Sequence, residues 1–386
     1  MAAVRALAPV NVAAIARNCA RLRRELAAGV RLCVVVKADG YGHGAVASAR
    51  AALAGGASCL AVATAEEAAW LRRGGVRADL LVLGAMTSSE IETAIEAEAE
   101  VVAWTESFVA AVAALGRGRV HVKLDTGMGR LGTRDPREAD AVAAAIVAAP
   151  ELVLAGAMTH FATADEPSDA FMGVQRERFA AWGRALQQRH PQIVLHAANS
   201  AATLRDPRTH FDLVRCGVAA YGLDPFGVDP DARGLEPALT LQSTVGAVKA
   251  CHAGESAGYG RRFVATRDTT LAVLPIGYGD GWRRALTNNA DVLIGGQRRP
   301  LVGTVSMDNI TVDLGPAATL APGATGTLIG RDGSERITCE EVAERLHTIN
   351  YEVTCGLTAR VPRAYHHDGE PAPEGEIAVA TGPEPA

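Results

Sequence analysis

Short apolar runs alternate with Ala-rich segments of helical period along the first two-thirds of the chain. The runs fall at residues 33–37, 59–63, 80–83 and 101–103, and again at 120–124, 152–158, 193–196 and 212–215. Most are apolar throughout rather than alternating, as expected of strands buried on both faces. The segments between them, such as TAEEAAWLRRGG and DPREADAVAAAIVAA, read as helices, the second with Asp135 placed to cap its N-terminus. Eight such units in series predict an α/β fold built on a (β/α)8 TIM-type barrel. An open doubly wound sheet has the same periodicity, because a repeat along the chain carries no information about closure.

Beyond residue 235 the pattern changes. LQSTVGAVKACHAGESAGYGRRFVA and DVLIGGQRRPLVGTVSMDNITVDLG are β-rich, with a hairpin expected at 295–297 and one helix at 339–346. The chain is therefore expected to divide into a barrel over 1–235 and a mostly β domain over 236–386. The stretch 368–386 is rich in Pro, Gly and Glu and is expected to be mobile at its end.

Composition removes several classes of function. The 386 residues suffice for two or three domains, and 48% hydrophobic with 21% charged residues is ordinary for a soluble globular protein. A net charge of −5 carries no polybasic patch for nucleic acid. The seven cysteines form neither a CxxC pair nor a Cys/His cluster at zinc spacing, which points to a reducing compartment and no structural metal. No segment has the apolar length of a signal peptide or a membrane span, so a cytoplasmic protein is expected.

A barrel enzyme places its site on the loops that follow the strands, and phosphate groups often sit after the seventh and eighth. The conspicuous polar residues obey that rule. CVVVKADGYGHGA brings Lys37 and Tyr41 after the first strand. KLDTGMGRLG carries Arg130 after the fifth and MTHFATADEP carries His160 after the sixth. HAANSAA presents Asn199 and Ser200 after the seventh, and VRCGVAAYG presents Arg215 and Gly217 at the end of the eighth. Taken singly, each has an ordinary structural reading: a strand-end lysine, a buried histidine, a helix cap, a surface ion pair, a turn. Together they occupy one face of one barrel. An amine nucleophile beside a phosphate cradle is the chemistry that holds pyridoxal 5'-phosphate.

VVVKADGYGHGA resembles the cofactor-attachment motif of alanine racemases, and KLDTGMGRLG, HFATAD, HAANSAA, RCGVAAYG, IGYGDGW, SMDN and YEVTCGLTARVPRAY follow in that family's order. The resemblance covers nearly the whole chain. It implies pyridoxal phosphate as cofactor, a head-to-tail homodimer whose sites are completed by the partner's C-terminal domain, and a supply of D-alanine for peptidoglycan. It further implies that Lys37 carries the cofactor and is one of two acid–base catalysts, with Tyr259 as the other, reaching across the dimer. Tyr41, Ser200 and Tyr351, with the amides of Gly217 and Val218, would bind phosphate, and Asn199 stands beside them. Arg130 would orient the substrate carboxylate, helped by Met307 of the other copy, with Asp308 next to it. His160, His196 and Tyr278 would form a hydrogen-bond network around Tyr259 and Arg215. The arginine would face the cofactor's ring nitrogen. Lys123 matches a lysine carbamylated in some relatives. Two departures from the usual pattern, Thr304 in place of arginine and Gly279 in place of alanine, touch no catalytic side chain.

Racemisation removes a proton from one face of a carbon and returns one to the other, so two bases on opposite faces are the direct solution. A phenol with a reference pKa of about 10 needs nearby cations to serve as one of them. The main rivals are a serine or broad-specificity racemase, a barrel-fold amino-acid decarboxylase and, from another class, an idle cofactor carrier. A decarboxylase usually sets a carboxylate, not an arginine, against the ring nitrogen, and a carrier has no need of a second base.

Overall fold

The computed structural model describes residues 4–316 and 318–373. All eight expected strands form. With β1 at Ala6–Asn11, they are β2 (Arg31–Val35), β3 (Cys59–Val62), β4 (Asp79–Val82), β5 (Ala99–Ala103), β6 (Gly118–Lys123), β7 (Leu152–Met158), β8 (Val194–His196) and β9 (Leu213–Cys216). Each pairs in parallel with its neighbours, and β2 pairs with both β3 and β9, so Cys33 stands opposite Cys59 on one side and Arg215 on the other. That double pairing closes the barrel and disposes of the open sheet. Leu32, Leu60, Leu80, Val101, Val120 and Val214 are almost fully buried, as strands packed on both faces require.

The helices between the strands start where the sequence predicts. Asp135 Oδ1 accepts from the amide of Arg137 at the head of Pro136–Ala148. Thr64 and Glu67 form a reciprocal capping box on Ala65–Arg73. One strand end differs from expectation: β2 stops at Val35, and Lys37 opens a separate turn rather than ending the strand.

Residues 4–14 with Tyr221–Ala372 form one compact unit, and Ile15–Ala220 form the other. The first unit's main sheet runs through Gln297–Pro300, Asp291–Ile294, Thr325–Asp332, Leu241–Thr244, β1, Arg363–His367 and Glu370–Pro371. Strand β1 lies antiparallel to Leu241–Thr244 and parallel to Arg363–His367, so a strand that precedes the barrel in sequence belongs to this sheet. A second sheet joins Ala247–Cys251, Thr269–Leu274 and Ile310–Gly315. The expected hairpin turns at Gly295–Gly296, and the expected helix spans Cys339–Leu346. Residues 374–386, within the stretch expected to be mobile, lie outside the described residues.

Candidate active site

The segment after β2 has an uncommon backbone. Ala38, Asp39, Gly40 and Tyr41 all have φ between 51° and 61°, a full left-handed turn. Each L-residue in that region costs roughly 1–2 kcal/mol, so the turn persists only where its surroundings enforce it. Several bonds do so. The amides of Gly40, Gly42 and Gly44 donate to the carbonyls of Val36, Ala38 and Asp39 at 3.0, 3.0 and 2.8 Å. Glu67 Oε1 accepts from the Ala38 amide at 2.6 Å, and Asp39 Oδ1 accepts from the Ala45 amide at 2.8 Å. Buried His43 lies with Nδ1 2.9 Å from the Tyr41 carbonyl and 3.1 Å from that of Gly40, so that nitrogen carries the proton. The turn leaves Lys37 partly exposed and buries the Tyr41 ring against Gly217. A Cβ on Gly217 would run into the Tyr41 hydroxyl and come within 2.7 Å of Cζ, so only glycine admits this ring.

Opposite this ring, Asn199 caps the helix Ser200–Arg205 by accepting from the Ala202 amide at 2.9 Å. The cap orients buried Ser200, whose Oγ accepts from the amides of Gly217 at 3.0 Å and Ala219 at 3.4 Å. Val218, at the start of the next helical turn, is also buried. Hydroxyls and main-chain amides thus converge where β9 ends, an arrangement suited to the oxygens of an anion.

Arg215, buried on β9, meets four acceptors. It donates to the Thr159 carbonyl at 2.8 Å, the Ala197 carbonyl at 3.1 Å, His196 Nδ1 at 2.9 Å and His160 Nδ1 at 3.2 Å. Three of these acceptors share the two N–H groups of Nη2, which leaves Nε and the second N–H of Nη1 as donors for a ligand. Burial pushes its pKa down to about 10, which keeps it cationic at neutral pH. His160 is held well below the usual histidine range, first by burial and then by Arg215, Arg130, Lys123 and Lys37. Lys123 is itself buried, and burial together with Arg215 and Arg130 lowers its amine to about 8. Four cations therefore surround one neutral histidine. Such an excess of positive charge calls for an anionic occupant.

The remaining expected residues belong to the other unit. Tyr259 is 73% exposed and its carbonyl accepts from Thr304 Oγ1 at 2.6 Å. Met307 and Tyr278 are also exposed, and the Tyr278 amide donates to the Ser306 carbonyl at 3.1 Å. Asp308 pairs with Arg360 at 2.6 Å, and an alanine at 279 would crowd that same Arg360. Tyr351 lies on the short helix Asn350–Cys355, partly buried.

Sequence reasoning missed Glu100 and His121, which adjoin the site from inside the barrel. A signal existed: His121 shares a strand face with Lys123, two residues on, and Glu100 is a carboxylate in an otherwise apolar strand.

Fold and site define a barrel enzyme with a lysine amine beside an anion cradle at the carboxyl ends of its strands. The model of the alanine racemase N-terminal domain matches residues 10–225, and that of the C-terminal domain matches 238–365. The chain is 40% identical over 367 residues to alanine racemase 1 of Bacillus subtilis, covering 94% of this chain and 93% of that one. It is 42% identical over 365 residues to alanine racemase of Geobacillus stearothermophilus, covering 93% and 92%. The crystal structure of alanine racemase from E. faecalis superposes with a TM-score of 0.88 at 38% identity, over 94% of this chain and 98% of that one. The chain belongs to the alanine racemase family.

Proposed function

We infer that this protein interconverts L-alanine and D-alanine, with pyridoxal 5'-phosphate as cofactor. The observation that carries the reading is the match to both domains of the family along nearly the whole chain. The donor set fits the cofactor: a lysine amine, a hydroxyl–amide cradle and a buried arginine with a donor to spare. When bound, the cofactor supplies the electron sink that acidifies the substrate's α-carbon.

The chain's own residues do the rest. Lys37 carries the cofactor and moves a proton on one face of the α-carbon, and Tyr259 moves one on the other. Tyr41, Ser200, Tyr351 and the amides of Gly217 and Val218 hold the phosphate, with Asn199 fixing Ser200. Arg215, cationic and unable to give up its proton near neutrality, would offer a remaining N–H to the cofactor's ring nitrogen and so would limit the charge that the ring accepts. That restraint favours return of the proton over side reactions. Arg130 orients the substrate carboxylate with Met307, and His160, His196, Tyr278 and Asp308 support the set. Lys123, with its lowered pKa, is a suitable amine for carbamylation, and the resulting carboxylate would pair with Arg130.

A homodimer completes each site with the β-rich domain of the other copy, from residue 236 onward. The exposure of Tyr259, Tyr278 and Met307 in the single chain supports this, since large side chains of this kind favour being covered. No helix among the described residues is long and apolar enough to cross a membrane, which agrees with a cytoplasmic role in supplying D-alanine.

The test is chiral chromatography of protein incubated with L-alanine, with L-serine run alongside. A D/L ratio near one from alanine is expected, and Lys37→Ala and Tyr259→Phe should each lose at least roughly a hundredfold in rate, the usual worth of an acid–base group. An amine and carbon dioxide as products would make the protein a decarboxylase instead. Bound cofactor with no amino acid altered would make it a carrier.

A further inference from the structure

Inside the barrel, a line of side chains runs from the N-terminal rim to Arg215. Glu100 is the second residue of β5 and Arg119 the second of β6, and Arg119 Nε donates to Glu100 Oε1 at 2.6 Å. Glu100 Oε2 lies 2.6 Å from His121 Nε2, His121 Nδ1 lies 2.8 Å from His196 Nε2, and His196 Nδ1 lies 2.9 Å from Arg215 Nη1.

The direction of this chain follows from one fact: a guanidinium only donates. His196 Nδ1 must therefore accept, so its single proton sits on Nε2 and is donated to His121 Nδ1. That nitrogen in turn accepts, which puts the His121 proton on Nε2, facing the carboxylate. No other assignment satisfies all three bonds. A doubly protonated His121 would set two N–H groups against each other. Burial alone would raise Glu100, but the bonds from His121 and Arg119 outweigh it and hold its carboxyl below the usual carboxylate range. Burial and Arg215 keep His196 neutral.

The backbone makes room for the chain. His121 is paired with Gly156 on β7, and Gly156 is paired with Val194 on β8, so the two histidines reach each other across β7. A Cβ on Gly156 would collide with His121 Nδ1 and lie 2.7 Å from Cε1. The rings meet edge to face, with centroids 4.9 Å apart and planes at 84°.

We propose that Glu100 and His121 are positioning residues for the reaction: with His196 they form a one-directional hydrogen-bond chain that fixes the Arg215 guanidinium where it meets the cofactor ring. The role rests on the reading of Arg215 given above; the direction of the chain does not.

The test uses cofactor-loaded protein labelled with 15N-histidine. In the wild type, ring correlations by NMR are expected to show Nε2 protonated and Nδ1 bare in both His121 and His196. Glu100→Ala is expected to let His121 exchange tautomers, to shift the absorption maximum of the bound cofactor, and to lower kcat roughly tenfold with little change in KM, as a small displacement of a positioned group does. Glu100→Gln keeps an oxygen acceptor and is expected to recover the spectrum and most of kcat. Gly156→Ala, whose methyl group would press on His121 Nδ1 and on the Val194 carbonyl, is expected to reproduce the Glu100→Ala spectrum with the carboxylate intact. A proton on Nδ1 of His196, or a doubly protonated His121, would overturn the chain's direction. An unchanged spectrum and kcat in Glu100→Ala would overturn its role in positioning Arg215. The expected tautomers in a protein that neither binds pyridoxal phosphate nor racemises alanine would remove the functional reading, and the positioning role with it, while upholding the chain's direction.

Discussion

Replacing Gly217 by alanine tests the anion cradle with a single methyl group. The added Cβ would overlap the Tyr41 hydroxyl, lie 2.7 Å from Cζ and 3.3 Å from Cε2. Ordinary contact begins near 3.4 Å, so the ring must retreat by about 1 Å. Tyr41 is only 7% exposed and sits at the end of the left-handed turn, so it has little freedom to do so. Overpacking of this kind costs roughly 1–3 kcal/mol. Charged to the bound state, that is about 5- to 150-fold weaker cofactor binding. The assay is equilibrium titration of apoprotein with pyridoxal phosphate, followed by the absorbance of the bound form. A second variant apportions the effect. Tyr41→Phe removes the nearest atom, so Gly217→Ala should cost less in that background than in the wild type, and the two changes should be non-additive by at least about 0.5 kcal/mol. Wild-type affinity in Gly217→Ala, or full additivity, would refute the contact between Tyr41 and Gly217 as the shaper of the cradle.

Two stability predictions accompany it. Lys123 titrates near 8 against an ordinary 10.5, a gap of about 3 kcal/mol at roughly 1.4 kcal/mol per pH unit. The unfolded chain binds the extra proton between these values, so stability should rise from pH 8 to 10.5, and Lys123→Met should stabilise the protein at pH 7 but not above pH 10.5. Urea melts in carbonate-free buffer check this, and a variant no more stable at pH 7 would contradict it. In the β-rich unit, buried Glu340 accepts from the Asp224 amide at 2.9 Å and from Asn350 Nδ2 at 2.8 Å. Glu340→Ala leaves both buried donors short of an acceptor and should lower the unfolding free energy by about 2–4 kcal/mol; an unchanged denaturation midpoint would refute that accounting.

The eight barrel strands were legible because each is a short apolar run bounded by helix signals, and local periodicity follows directly from residue order. The caps at Asp135 and Asn199 were equally local, since each bonds an amide two or three residues away. The family motifs marked Lys37, Tyr41, Arg130, His160, Ser200 and Arg215 because each sits beside a strand end. What residue order did not contain is which partner each element finds. Closure depends on β2 meeting β9, 182 residues away from Arg31 to Leu213, and β1 joins a sheet whose other strands begin only at Leu241. The left-handed turn at Ala38–Tyr41 runs against the preference of three L-residues, and bonds from Glu67 and across the loop hold it there. Glu100 and His121 lie in none of the sequence motifs, and His196 was set near Arg215 only by the family resemblance. Only the barrel's register, with a glycine at 156 to clear the way, brings them into line behind Arg215, because hydrogen bonds form between atoms near in space and not between positions near in sequence.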